Sequence, residues 1–191
     1  MRALIIVDVQ NDFCEGGSLA VDGGAAVARG ITEMLAGHPD YAAIVATKDC
    51  HIDPGEHFSD HPDYRLSWPR HCVAGTAGAE FHPGFDPAAV EAVFEKGHHS
   101  AAYSGFEGVD ASGTPLADWL RGRGVGEVDV VGIATDYCVQ ATAADAARAG
   151  FATRVLLDLT AGVAPESTAE AIDDLRAAGI TVTGTPHVDT R

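Results

Sequence analysis

The chain has 191 residues, 46% of them hydrophobic, enough for one full core but too few to serve two domains well. Its 12 Lys and Arg against 28 Asp and Glu give a formal charge of −16, and so acidic a surface argues against nucleic acid and membranes as partners. With no long apolar span and no signal-like opening, the protein is expected to be soluble and cytoplasmic, with its four cysteines as free thiols.

Residues 3–9, ALIIVDV, form the near-continuous apolar run of a strand buried on both faces, interrupted by Asp8 at its carboxyl end. A carboxylate there has to be paired or functional, because burying it alone is costly. A Gly-rich loop over residues 10–24 carries Phe13 and Cys14. Val27, Ile31, Met34 and Leu35 recur at helical spacing, which predicts an amphipathic helix over 25–36 ended by Gly37.

A second strand is predicted over residues 42–48, followed by a long stretch, 49–87, without sustained period of either kind. It holds five of the nine histidines and five of the nine prolines. A loop of that length inside a compact domain needs something to organise it, and a metal would do so. The pattern D-x-H-x5-H with a further histidine selects Asp49, His51, His57 and His71 as ligands, while His61 and His82 remain competitors that spacing does not exclude. Residues two apart in extended chain face the same side, so Asp49 and His51 can reach one ion. Imidazoles with one carboxylate suit divalent Fe, Zn or Mn. Trp68 reads either as a lid packed on the core or as a stacking surface for a flat ligand.

A third strand is predicted over residues 90–94, with Lys96 just beyond it, where a lysine is ordinarily a surface charge. Thr114 and Pro115 read as a capped helix start with Leu116, Trp119 and Leu120 on the buried face. Val128, Val130, Val131 and Ile133 give a fourth strand, and Thr135 or Asp136 then offers the N-cap of a helix running to Gly150. Cys138 falls in that helix's first turn, where the helix dipole is expected to lower a thiol pKa. The plain alternative is a small buried hydrophobe. A fifth strand over 153–159, a helix near 165–178 and a sixth strand over 180–183 complete the chain.

Strands alternating with helices imply an α/β fold with a six-stranded parallel sheet covered on both faces. In such sheets ligands bind beyond the carboxyl ends of the strands, at the switch point. Asp8, Asp49, Lys96 and Cys138 each follow a strand end and so can share one cleft. An acid, a lysine and a thiol there form a nucleophilic set. Asp8 would take the Cys138 proton, Lys96 would favour the thiolate, and backbone N–H groups near Ala134 and Cys138 would receive an oxyanion.

The segments IIVDVQNDFCEGGSL, ATKDCHIDPGEHF, SWPRHCVAGTAGAEFH, FEKG with AYSGFEG, and VVGIATDYCV resemble, in order and in spacing, the nicotinamidase/pyrazinamidase group of the isochorismatase-like cysteine hydrolases. The resemblance runs nearly end to end. It implies a Rossmann-like three-layer α/β/α domain over residues 1–191 and hydrolysis of nicotinamide to nicotinate and ammonia, with pyrazinamide as a related substrate. It also implies the triad Asp8, Lys96 and Cys138, an oxyanion hole at Ala134 and Cys138 with a cis peptide before Ala134, and one divalent ion on Asp49, His51, His57 and His71. Phe13, Trp68 and Tyr103 are implied to wall the aromatic amide, with Ile133, Ala134 and Tyr137 at the pocket. The expected assembly is a monomer or small homo-oligomer. The rivals are a metal-hydroxide amidohydrolase in which Cys138 stands by, another amide hydrolase of the same family, and a non-enzymatic thiol or metal-binding protein. Cys50, between two implied ligands where an aromatic is more usual, is open to metal-linked oxidation or a bond to Cys72. His98 and His99, close behind Lys96, are open to adventitious metal.

Overall fold

The computed structural model describes residues 1–189; Thr190 and Arg191, the end of the expected 1–191 domain, lie outside the described residues. Six parallel strands form one sheet: β1 (Arg2–Val7), β2 (Ala43–Asp49), β3 (Ala92–Lys96), β4 (Glu127–Ile133), β5 (Ala152–Ala161) and β6 (Thr181–Thr183), in the order β3-β2-β1-β4-β5-β6. The chain runs outward from β1 through β2 to β3, then returns to place β4 on the other side of β1. The switch point therefore lies between β1 and β4, whose carboxyl ends lead into Asp8 and Ala134.

The continuous apolar reading of β1 reflects two cores. Ile5 and Val7 face one, with α2 (Leu116–Gly122), α3 (Gln140–Arg148) and Leu175 of α4 (Pro165–Ala177). Leu4 and Ile6 face the other, with Val27, Ala28, Ile31 and Leu35 of α1 (Gly24–Ala36). Burying side chains such as Val27, Ile31 and Leu35 stabilises by about 1.5–3 kcal/mol each. The start of α1 has no side-chain cap of its own, and Glu15 supplies one from a distance, its carboxylate accepting from the Gly23 and Ala25 N–H groups at 2.8 Å each.

Two boundaries differ from expectation in ways that matter to the site. β3 spans 92–96 rather than 90–94, so Lys96 is a strand residue in register with Asp49 at the end of β2. Cys138 lies not in an α-helical first turn but in a π-helical one, Thr135–Val139, because the Ala134 carbonyl accepts from both Tyr137 N (3.1 Å) and Val139 N (3.0 Å). Neither Thr135 nor Asp136 caps it. Asp136 instead accepts from Val163 N at 2.9 Å, ahead of α4.

The long segment after β2 is organised by side chains of the first motif. The Gln10 side chain donates to the carbonyls of Asp49 and Ala79, both at 2.8 Å, and accepts from Asp49 N at 2.9 Å. Asp12 Oδ2 accepts from Cys72 N at 2.8 Å, and Asn11 Nδ2 donates to Ala77 O at 2.7 Å. Short 3-10 turns at Gly55–His57, Ala77–Ala79 and Pro87–Ala89 and isolated bridges pairing His51 with Val73 and Phe58 with Trp68 add further regularity.

Candidate active site

Asp8 follows β1 with φ +50°, fully buried, and Thr47 Oγ1 of β2 donates to its Oδ1 at 2.6 Å. Lys96 Nζ reaches Asp8 Oδ2 at 2.9 Å, the Ala102 carbonyl at 3.1 Å and Cys138 Sγ at 3.7 Å, and it is also bonded to Asp49 Oδ1. Asp8, Lys96 and Cys138, expected from three separate strand ends, thus meet around one ammonium group.

Two carboxylates compete for that ammonium. Burial, the largest single influence, would raise the Asp49 pKa, but Lys96 together with the neighbouring His51 and His71 outweighs it and holds the carboxyl well below its usual range. At Asp8 burial wins over Lys96 and raises the pKa. Paired titrating groups pushed apart in this way mark a fixed charge and a proton acceptor. Lys96 would lose its proton to burial but is held charged by Asp49 and Asp8. Burial pushes the Cys138 thiol well above its usual range, against the opposing pull of Lys96. This corrects the expectation of a dipole-lowered thiol. Beside the Asp8 carboxylate, this burial favours the neutral thiol.

Beside this trio the ring nitrogens of His51, His57 and His71 lie within 4.8 Å of one another, and all three residues are buried. Asp49 Oδ2 stands 3.4 Å from His51 Nε2 and 3.8 Å from His71 Nε2. His51 Nδ1 contacts the Gly97 carbonyl at 2.6 Å and His71 Nδ1 the Pro69 carbonyl at 2.7 Å. A carbonyl only accepts, so both Nδ1 atoms carry the proton and both Nε2 atoms offer lone pairs toward Asp49. His51 Nε2 and His57 Nδ1 are buried without hydrogen-bond partners. Burial, then the neighbouring histidines, lower His57 to about 4, leaving it neutral at neutral pH. Orphaned buried imidazole nitrogens beside a charged carboxylate fit a divalent ion. Gly97 is required at its place: at φ +80° an added Cβ would lie 2.7 Å from the His51 ring. The competing histidines are elsewhere, His61 exposed and His82 accepting from Gly84 N at 3.0 Å through its Nδ1.

Cys138, Asp49, His57 and His71 open onto an apolar pocket lined by all six expected contact residues, Phe13, Trp68, Tyr103, Ile133, Ala134 and Tyr137. The Trp68 indole N–H donates to Tyr103 Oη at 3.1 Å, and its ring meets Tyr137 edge-on at 5.0 Å between centroids. Trp68 is 4% exposed and lines the pocket. The Ile133–Ala134 peptide is cis. Leu19, Ala20, Val21, Ala102 and Val163 complete the wall, and nothing in the sequence marks them, since isolated apolar residues in loops carry no periodic signal. Thr47 carries no functional signal in the sequence, because a threonine in a strand reads as a β-former. All four cysteines are free thiols, so Cys50 and Cys72 are not joined.

The chain matches the isochorismatase domain over residues 2–187. It is 67% identical to the nicotinamidase/pyrazinamidase of Mycobacterium tuberculosis over 180 residues, covering 94% of this chain and 97% of the relative. Among solved structures it is similar to PnC1 from L. infantum in complex with nicotinate, with TM-score 0.85, 37% identity and coverage of 96% and 92% of the two chains. It is likewise similar to the pyrazinamidase of Pyrococcus horikoshii in complex with zinc, with TM-score 0.81, 39% identity and coverage of 95% and 98%.

Proposed function

The chain belongs to the isochorismatase domain family, and on that premise we propose that it is a nicotinamidase, hydrolysing nicotinamide to nicotinate and ammonia. Pyrazinamide, the same amide on a related ring, is expected as a second substrate. The observation that carries the reading is the meeting of Cys138, Lys96 and Asp8 at the floor of an apolar, aromatic-walled pocket.

Asp8 takes the Cys138 thiol proton as sulfur attacks the amide carbon, and the N–H groups of Ala134 and Cys138 receive the developing oxyanion. Asp8 then gives its proton to the leaving nitrogen, releasing ammonia and leaving a thioester on Cys138. In the second half Asp8 takes a proton from water as its oxygen attacks the thioester, and returns that proton to the departing sulfur. Lys96 stays charged throughout and offsets the negative charge that moves between Asp8 and Cys138. Phe13, Trp68, Tyr103 and Tyr137 hold the ring and exclude bulk water from the thioester.

Asp49, His51, His57 and His71 would hold one divalent ion, with zinc, iron and manganese as candidates. When bound, such an ion supplies a Lewis-acid anchor that orients the substrate. Ammonia and nicotinate released in equal amounts from nicotinamide by the purified, metal-loaded protein test the reading; no release above the buffer blank rejects it.

A further inference from the structure

A second group of metal-capable side chains lies outside the pocket. Successive residues of extended chain face opposite ways, so where Asp49 turns toward Lys96 and the histidines, Cys50 turns to the other side. There Cys50 Sγ, a Glu95 carboxylate oxygen and a His98 ring nitrogen lie within 4.8 Å of one another, with Glu95 Oε2 3.4 Å from His98 Nε2. Each of the three residues is fixed through its backbone. Cys50 N donates to Lys96 O at 2.9 Å, and Ile52 N and Asp53 N both donate to His98 O at 2.9 Å. Glu95 exchanges both backbone bonds with Val109, at 3.0 and 3.2 Å.

The geometry points to a second, independent cation site at Cys50, Glu95 and His98, for a borderline-soft divalent ion such as Zn(II), with a fourth position left to water. A tetrahedral ion with bonds of about 2.0–2.3 Å spaces its ligands roughly 3.5 Å apart, so the partly exposed Glu95 and His98 side chains need only small rotations to close on it. One thiolate, one imidazole and one carboxylate select zinc over magnesium or calcium. Binding releases the Cys50 thiol proton to solvent. The donor set differs in kind from that of the first site, which contains no sulfur. An ion here ties the end of β2 to the turn after β3, the two segments that carry Asp49, His51 and Lys96. It depends on no part of the amide chemistry.

The test is a cobalt(II) titration of the chelator-stripped full-length chain, reading metal stoichiometry and the near-ultraviolet thiolate-to-cobalt charge-transfer absorption. The wild type should show that band and take up one equivalent more than Cys50→Ser, which should lack the band while keeping the wild-type circular dichroism. His98→Ala should weaken uptake of the same equivalent at least tenfold, and His57→Ala should weaken the other equivalent and leave the band. A wild type without the band, or a Cys50→Ser variant with unchanged band and stoichiometry, overturns the proposal.

Discussion

Asp49 and Lys96 are bonded across the register-paired ends of β2 and β3, so the carboxylate that approaches two of the clustered histidines also grips the ammonium beneath Cys138. The histidine cluster and Cys138 therefore share a charge. Asp49→Asn should weaken divalent metal affinity by at least about tenfold and lower kcat together with it, because it also frees Lys96 to pair fully with Asp8. Competition with a chromogenic chelator measures the first effect. Metal affinity equal to the wild type would remove Asp49 from the ligand set.

Thr47 donates to the Asp8 oxygen at 2.6 Å and so favours the ionised carboxylate, against the burial that raises its pKa. Thr47→Val takes that donor away, and the Asp8 pKa should rise further. With Asp8 as the proposed base, activity needs it deprotonated, so as pH falls the variant should lose kcat/KM sooner, its acid limb moving toward neutrality. A stability loss of about 1–3 kcal/mol should accompany it, since a buried acceptor is left unpaired. An unmoved limb would mean that Asp8 is not the base.

Trp68 is held by its bond to Tyr103 and by edge contact with Tyr137, which presents it as a fixed wall of the pocket. Trp68→Ala should raise KM for nicotinamide about tenfold, corresponding to about 1.4 kcal/mol, with a smaller effect on kcat. Trp68→Phe, which keeps a ring but not the N–H donor, should fall between. Equal KM in all three proteins would place the substrate elsewhere.

Gly132, the β4 residue paired with Val7, has φ +118°, and an added Cβ would lie 2.1 Å from the Val7 carbonyl oxygen. Gly132→Ala should cost about 3 kcal/mol or more, by strain and overpacking at the seam beyond which Asp8 and Ala134 follow their strands. Gly122→Ala, where nothing lies within 4 Å of the added carbon at the end of α2, is the control and should be neutral or mildly stabilising. Chemical denaturation measures both. A small loss at Gly132 would show that β1 and β4 can separate there.

The parts of this molecule that were readable in the sequence are those with a periodic or positional signature. β1 announces burial on both faces through its apolar run, β4 stands out as a β-branched run, and Asp8, Asp49, Lys96 and Cys138 stand out as reactive side chains where strands end. The histidine cluster was readable as a pattern, yet only the fold separates His57 and His71 from His61 and His82. What escaped depends on contacts distant in sequence. Gln10 clamping Asp49, Thr47 donating to Asp8 and Glu15 capping α1 each join segments that no local pattern links. The π-helical turn depends on a single carbonyl, Ala134, accepting twice. The helix position of Cys138 says nothing of its burial, which pushes the thiol up.

The most direct test of the account is rapid acid quenching of the metal-loaded enzyme during turnover of nicotinamide, followed by mass spectrometry of the peptide containing Cys138. A nicotinoyl thioester should form on Cys138 before steady state and be absent from Cys138→Ala, which should itself lose at least about a thousandfold in kcat. A Cys138→Ala variant that turns over nicotinamide at near the wild-type rate, with no acylated cysteine in either protein, would contradict it.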